Sequence, residues 1–148
     1  MKVNKIIVHH SATSAVTTTV SSIKSGHLKG GKSDIGYHKV ITWNGKIKEG
    51  RSEKVQGAHA KGANTNSLGV CLTGNFESES PSQAQKASLV ELLTRWCKEH
   101  DLTVDKIYPH RSTPGAKTAT LCPGKNLISE LPKIKASVKN NLLEKIKA

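Results

Sequence analysis

Two adjacent histidines end the first apolar segment of the chain. Two isoleucines and a valine at 6–8 are followed directly by His9 and His10. Successive side chains of a β-strand face opposite sides of the sheet, so these two imidazoles cannot enter the same pocket. We therefore expect one of them to bind or react at the end of the strand, while the other packs or faces solvent.

A second group of reactive side chains lies in the turn-rich segment from His110 to Cys122. A loop this irregular is costly to order unless some interaction holds it. A metal ion held by His110, Cys122 and a histidine of the first strand would hold it, and two imidazoles with one thiolate suit Zn²⁺. Three protein ligands would leave a fourth position for water, which is the catalytic arrangement. The spacing matches no standard zinc finger, so a buried, purely structural Cys122 is the alternative.

The remaining histidines carry weaker signals. His27 and His100 lie near predicted helix ends, where a histidine is usually solvated or placed to interact with the helix dipole. His38 and His59 lie beside strands or loops, where a hydrogen-bonded packing role is as good an interpretation as a functional one.

Strand-like and helix-like segments alternate along the chain and must position these groups. Strands are predicted over residues 5–8, 37–43, 46–49, 68–74 and 106–108, with a hairpin turn at Asn44-Gly45. Helices are predicted over 17–29 and 82–100; Ser80 or Ser82 caps the second, whose apolar stripe includes Leu89 and Trp96. This alternation predicts one α/β domain in which helices flank a central mixed sheet.

The C-terminal residues 131–148 predict a basic amphipathic helix. Ile134, Val138, Leu142 and Ile146 recur every four residues, and the lysines lie mainly off that line. We expect the helix to pack its apolar line on the domain formed by residues 1–130. The alternative is that it contacts an anionic envelope or membrane surface.

Charge and cysteine content narrow the choice of partners and compartment. The 148-residue chain has 23 Lys and Arg against 11 Asp and Glu, a net charge of +12 that favours a polyanionic partner. Nucleic acid is the less favoured partner, because the few aromatic residues are scattered. Three cysteines form no even set, which argues against a disulfide framework. The polar start predicts no secretory signal, and hence a protein that stays in the cytoplasm unless something releases it.

Several separated motifs occur in the order typical of one known family. They are Val8 to Thr13 (VHHSAT), Asp34 to His38 (DIGYH), Gly57 to Gly62 (GAHAKG) with residues 64–72, and Pro109 to Arg111 with residues 120–124. Through these motifs, residues 5–127 resemble the zinc-dependent N-acetylmuramoyl-L-alanine amidases. That family includes small phage endolysins and is related to the peptidoglycan-recognition proteins.

The resemblance implies a role for particular residues. It implies that His9, His110 and Cys122 bind zinc and that His10 turns away from the metal. It further implies that Tyr37 is catalytic, that Thr120 steadies the transition state, and that His59 and Asn66 line the substrate cleft. Because some relatives carry lysine at the position of Thr120, Lys117 is an alternative to it.

The function implied is that of a monomeric, bacteriolytic endolysin. It would cleave the amide bond between N-acetylmuramic acid and L-alanine in peptidoglycan after release from the host cytoplasm. Three alternatives stay open at this point: a non-catalytic peptidoglycan-binding module, a basic nucleic-acid-binding domain with a structural metal, and a metal-free hydrolase with Cys122 as its nucleophile. The presence of Cys122 argues against the first of them.

Overall fold

A mixed β-sheet organises the chain. The computed structural model describes the backbone of residues 1–147 and the side chains of residues 1–144. In that part of the chain five strands form one sheet, in the order β3-β2-β4-β1-β5. They are β1 (Lys5–His10), β2 (Lys39–Ile41), β3 (Ile47–Glu49), β4 (Ser67–Leu72) and β5 (Ile107–Pro109). Only the β2–β3 pair is antiparallel among these ladders. The predicted α/β class with a mixed sheet is confirmed.

Three α-helices flank the sheet within residues 1–147: α1 (Val20–Lys29), α2 (Gln83–His100) and α3 (Lys125–Lys147). Ser82 caps α2, since its hydroxyl accepts from the Gln85 amide while the Gln85 side chain accepts from the Ser82 amide. This start agrees with the prediction. Helix α1 begins later than predicted, because Thr19 caps it in the same reciprocal way with Ser22.

Helix α3 begins at Lys125, earlier than the predicted start at residue 131. Its apolar line is already used by the core: Ile134 and Val138 are buried there, and Leu142 packs against it. Ile146 lies outside the residues whose side chains are described. Between residues 125 and 144, Leu143 is the one large apolar side chain that is exposed. None of the described helices is long and apolar enough to cross a membrane.

The two faces of β1 meet different surroundings. Ile6 and Val8 belong to the main core beneath α2 and α3, whereas Ile7 packs on the other face against Ala60 and Ala63. Because side chains alternate, His10 lies on the face of Ile6 and Val8, and His9 lies on the face of Ile7. The sheet thus separates the two histidines as predicted.

His38 ties the segment before β2 to β4 from inside the protein. The Gly69 amide donates to its Nδ1 at 3.0 Å, and its Nε2 lies 2.8 Å from the Val55 carbonyl oxygen. A ring that accepts at one nitrogen and donates at the other is neutral. Burial lowers the pKa of His38, although the Val55 carbonyl opposes that shift.

Acidification should reduce the free energy of unfolding between about pH 7.5 and about pH 5.5. A histidine whose pKa is lowered in the folded state takes up its proton at a lower pH than in the unfolded chain, where its ordinary pKa is about 6.5. The unfolded state then binds more protons, so stability is lost as the pH falls. Each such histidine contributes up to about 1.4 kcal/mol per pH unit in this window. Urea unfolding in the presence of a chelator measures the effect.

The variant His38→Gln lacks one of these titrating groups and should show a shallower dependence on pH. A wild-type free energy of unfolding that stays constant across the range would contradict the prediction.

Candidate metal centre

Three side chains from distant parts of the chain meet at one edge of the sheet. His9 lies near the end of β1, His110 directly follows β5, and Cys122 precedes α3. β1 and β5 are parallel neighbours, with Val8 opposite Pro109, so their carboxyl ends lie together. One ligand atom from each of the three residues lies within 4.8 Å of the other two. These residues therefore form a possible metal site.

The donor set and its spacing fit zinc. The Cys122 sulfur lies 3.6 Å from His9 Nδ1. Zn–S and Zn–N bonds of about 2.3 and 2.0 Å at a tetrahedral angle separate the two ligand atoms by about 3.5 Å, close to the distance found. In addition, Nε2 of His110 is the one buried side-chain nitrogen or oxygen among the described residues that has no hydrogen-bond partner. Such an atom indicates that the ring meets a group from outside the polypeptide.

The Cys122 sulfur is held by its surroundings. The backbone amide of His10 donates to Sγ at 3.3 Å, and the Cys122 amide donates to the Thr120 hydroxyl at 3.1 Å. The Arg111 amide donates to the Cys122 carbonyl at 2.7 Å. Burial raises the pKa of the Cys122 thiol to about 12, against a smaller opposing effect of the His10 amide. A metal must therefore displace a proton from this thiol when it binds.

His9 is buried among other imidazoles. Its ring centroid lies 4.6 Å from that of His110 and 4.9 Å from that of His59. Burial holds the pKa of His9 well below its usual value, and the neighbouring His59 and His110 add to the shift. The ring is therefore neutral at physiological pH, which is the form that binds metals.

His10 faces the main core and not the metal site. The Phe76 amide donates to its Nδ1 at 3.1 Å, and the His10 and Phe76 rings lie 6.0 Å apart. The imidazole thus satisfies a buried amide, while the backbone of the same residue supports Cys122.

Tyr37 stands beside the three potential ligands, two residues before β2. Its ring lies 5.0 Å from that of His9 and 5.3 Å from that of His27. Burial raises the pKa of Tyr37 well above its usual value, and the nearby thiols of Cys71 and Cys122 add to the effect. The hydroxyl therefore keeps its proton at neutral pH and is available as a donor.

A hydroxyl-rich hollow of about 250 Å³ opens next to Tyr37. It is bounded by α1 and the end of β1, and its lining includes Ser11, Thr13, Thr18, Ser22 and His27. His27 also accepts from the Gly36 amide at 2.8 Å, which holds the segment that carries Tyr37. The sequence prediction missed this role of His27, because its position near a helix end favours solvation. Such a hollow suits a polar ligand rich in amide and hydroxyl groups.

The segment before Cys122 is fastened to the loop between β3 and β4. The Lys117 amide donates to the Lys61 carbonyl at 2.8 Å. A Cβ atom on Gly62 would lie 2.6 Å from Lys117 Cγ, so the lysine stem runs along that glycine. The Thr120 hydroxyl is thus placed next to Cys122, whereas the Lys117 stem lies against the neighbouring loop.

The structure brings His59 to the site but leaves Asn66 far from it. His59 is buried, with 9% of the residue exposed, and its Nδ1 lies 2.8 Å from His9 Nε2. Asn66 lies just before β4, where its carbonyl accepts from the Asn4 amide. That end of the sheet is about 16 Å along the strand from His9, at ~3.3 Å per residue.

Asn64, which the sequence prediction missed, holds the loop that carries His59. Its Oδ1 accepts from the His59 amide at 2.9 Å and from the Ala60 amide at 2.8 Å. An asparagine in a glycine-containing loop commonly accepts from nearby amides in this way, and that signal was available in the sequence.

Comparisons with known proteins agree with this geometry. Residues 1–125 match the family described as N-acetylmuramoyl-L-alanine amidase. The chain is 39% identical over 101 residues to the endolysin of Escherichia phage T7, a match that covers 62% of this chain and 67% of the endolysin. It is 41% identical over 96 residues to peptidoglycan-recognition protein SD of Drosophila simulans. This match covers 64% of this chain and 50% of that protein.

A solved structure also resembles the fold. The N-acetylmuramoyl-L-alanine amidase LysC from Clostridium intestinale URNW superposes on this chain with a TM-score of 0.81 at 32% identity, and the match covers 93% of this chain and 85% of LysC.

The substitution Gly69→Ala should lower the free energy of unfolding by about 1–3 kcal/mol, the usual cost of overpacking. A Cβ atom at this position would lie 2.7 Å from Cγ and Nδ1 of His59, so the ring must move. Gly26→Ala is the matched control, because its Cβ meets nothing within 4 Å and lies in α1. It should leave stability unchanged or raise it by about 0.5–1 kcal/mol. Urea unfolding of both variants measures the difference, and equal stabilities would contradict the packing argument.

Proposed function

Since the chain belongs to the N-acetylmuramoyl-L-alanine amidase family, we propose that it is a zinc-dependent endolysin that cleaves the bond between N-acetylmuramic acid and L-alanine in peptidoglycan. The observation that carries the proposal is the convergence of His9, His110 and Cys122 beside Tyr37. Two imidazoles and a thiolate are zinc ligands, and three of them leave room for a water or substrate atom.

A catalytic centre is favoured over a purely binding module by the way in which Cys122 is held. The His10 amide donates to its sulfur, and such a bond stabilises the thiolate form that a metal requires. A module that only binds peptidoglycan has no need for a thiol held in this way beside two imidazoles.

In the reaction, His9, His110 and Cys122 would hold the metal. Bound zinc would supply a Lewis acid for the amide carbonyl and a water acidic enough to react near neutral pH. The protonated Tyr37 hydroxyl donates to the carbonyl oxygen as it gains negative charge, or orients the attacking water. The Thr120 hydroxyl accepts from the Cys122 amide, so its own proton is free to be donated to the substrate. Removal of one such donor costs on the order of 10²–10³ in rate.

The positive charge of the chain supports adsorption to the cell wall. A net charge of +12 attracts polymers that carry phosphate and carboxylate groups. Because Ile134 and Val138 of α3 are buried in the core, electrostatic attraction is favoured over insertion of that helix into lipid. That the enzyme is a monomer and reaches the wall from the host cytoplasm stays a prediction.

Purified protein should bind one zinc ion per chain and release new amine ends from purified peptidoglycan. A chelator should abolish the cleavage, and added zinc should restore it. Cys122→Ser should lose most of the bound zinc and the activity, because a hydroxyl is a poor replacement for a thiolate ligand. Metal analysis together with an amine-release assay measures both quantities.

Cys97→Ala is the control for the loss of a buried thiol, since Cys97 lies in α2 and in the main core. It should keep both zinc and activity. Zinc-loaded protein that binds peptidoglycan without cleaving it would favour the non-catalytic module. Cleavage that survives chelation but not alkylation would favour a cysteine nucleophile.

The substitution Tyr37→Phe should lower kcat by at least about tenfold while zinc content and KM change little. The hydroxyl acts on the reacting atoms and binds no metal, so only the chemical step should suffer. Tyr108→Phe, which removes a hydroxyl on β5, is the matched control and should behave as the wild type. Loss of zinc from the Tyr37→Phe variant, or unchanged kcat, would contradict the role assigned to Tyr37.

A further inference from the structure

A chain of hydrogen bonds leads from His9 to the backbone of the loop between β3 and β4. His9 Nε2 lies 2.8 Å from His59 Nδ1, and His59 Nε2 lies 3.3 Å from the Ser67 hydroxyl. The Ser67 hydroxyl lies 3.0 Å from the Asn64 carbonyl oxygen, to which it donates. The chain therefore ends on a group that can only accept.

The Asn64 carbonyl, at the end of this series of hydrogen bonds, determines which atom of each bonded pair carries the proton. Because the Ser67 hydroxyl gives its proton to Asn64, its oxygen can bond His59 only by accepting from Nε2–H. A neutral imidazole carries one N–H, so Nδ1 of His59 is then an acceptor. His9 must donate from Nε2, and its Nδ1 is left without a proton. That nitrogen is the one 3.6 Å from the Cys122 sulfur.

The position of the His59 ring is fixed by its contacts with Gly69 and with the His9 ring. The ring lies against the bare Cα of Gly69, where any side chain would collide with it. It meets the His9 ring edge-on, with an interplanar angle of 87°. Both ring nitrogens have partners inside the protein, so neither is free for a ligand in the substrate cleft.

We infer that His59 is a positioning residue, which fixes the tautomer and orientation in which His9 presents Nδ1 to the metal. The inference rests on the proposed zinc centre and deepens it. The partner of a metal-bound histidine typically changes metal affinity about 10–100-fold. The role differs from the substrate contact that the sequence resemblance implies for His59.

The test compares His59→Leu with His59→Asn. Leucine has no acceptor for His9 Nε2–H, whereas the Asn side-chain oxygen takes nearly the same place as imidazole Nδ1. In metal-free protein, long-range ¹H–¹⁵N NMR should show His9 as the Nε2–H tautomer in the wild type and His59→Asn, but mixed tautomers in His59→Leu. Competition with a chromophoric chelator should show zinc binding about 10–100-fold weaker in His59→Leu and near wild type in His59→Asn.

Ser67→Ala gives a second, milder test if His59→Leu fails to fold. It leaves the His59 ring in place but removes the acceptor for its Nε2–H, so the His9 tautomers should mix and zinc binding should weaken severalfold. His100→Leu controls for the loss of a histidine outside the site and should leave the His9 tautomer unchanged.

Equal weakening of zinc binding in the Leu and Asn variants would show that His59 acts by packing alone and would overturn the inference. An unchanged His9 tautomer in both His59→Leu and Ser67→Ala would overturn it as well. Neither measurement requires peptidoglycan. A wild-type protein with the expected tautomer and zinc affinity that fails to cleave peptidoglycan would therefore contradict the proposed hydrolase and leave this inference standing.

Discussion

The parallel pairing of β1 with β5 is the constraint on which the site depends. Their register places Val8 opposite Pro109, so the next residues, His9 within β1 and His110 just after β5, lie side by side. Hydrogen bonds from the His10 amide to the Cys122 sulfur and from the Arg111 amide to the Cys122 carbonyl hold Cys122 at the same edge. A shift of one residue in this register would turn His9 towards the main core, since side chains alternate across the sheet. Sheet pairing and metal-site geometry are thus specified together.

Burial of neutral side chains explains how the proposed metal centre can exist without a metal. The imidazoles of His9 and His59 sit close together in a region where charge is costly, and burial lowers the pKa of both, that of His59 to about 3. The Cys122 thiol is kept protonated for the same reason. The folded protein therefore holds uncharged donors without repulsion between them. Exchange of the Cys122 proton for a divalent cation then changes the local charge by one unit only, which limits the electrostatic cost of loading.

Sequence patterns predicted those features that depend on local chemistry. The Ser82 cap and the alternation of His9 and His10 follow from short-range rules. The convergence of His9 with His110 and Cys122 is long-range, and it was a hypothesis from residue types that the family resemblance made specific. The start of α3 was predicted at residue 131, whereas the helix begins at Lys125, because the apolar line that indicated the helix begins only at Ile134. Asn66 was named from the family resemblance, as a residue lining the substrate cleft, whereas the role of Asn64 in bonding the His59 amide is visible only in the folded loop.

By this inference, the loop between β3 and β4 sets the tautomer of His9, although His9 itself lies on β1. Asn64 contributes to this twice: its side chain accepts from the amides of His59 and Ala60, and its carbonyl accepts from Ser67. The first contact places the His59 ring, and the second sets the direction of its hydrogen bonds. Without these contacts, nothing on strand β1 would favour one tautomer of the His9 ring over the other. If His9 binds the metal as proposed, the ligand and its orienting group lie on two different segments, so that a change in this loop would alter metal binding without replacing a ligand.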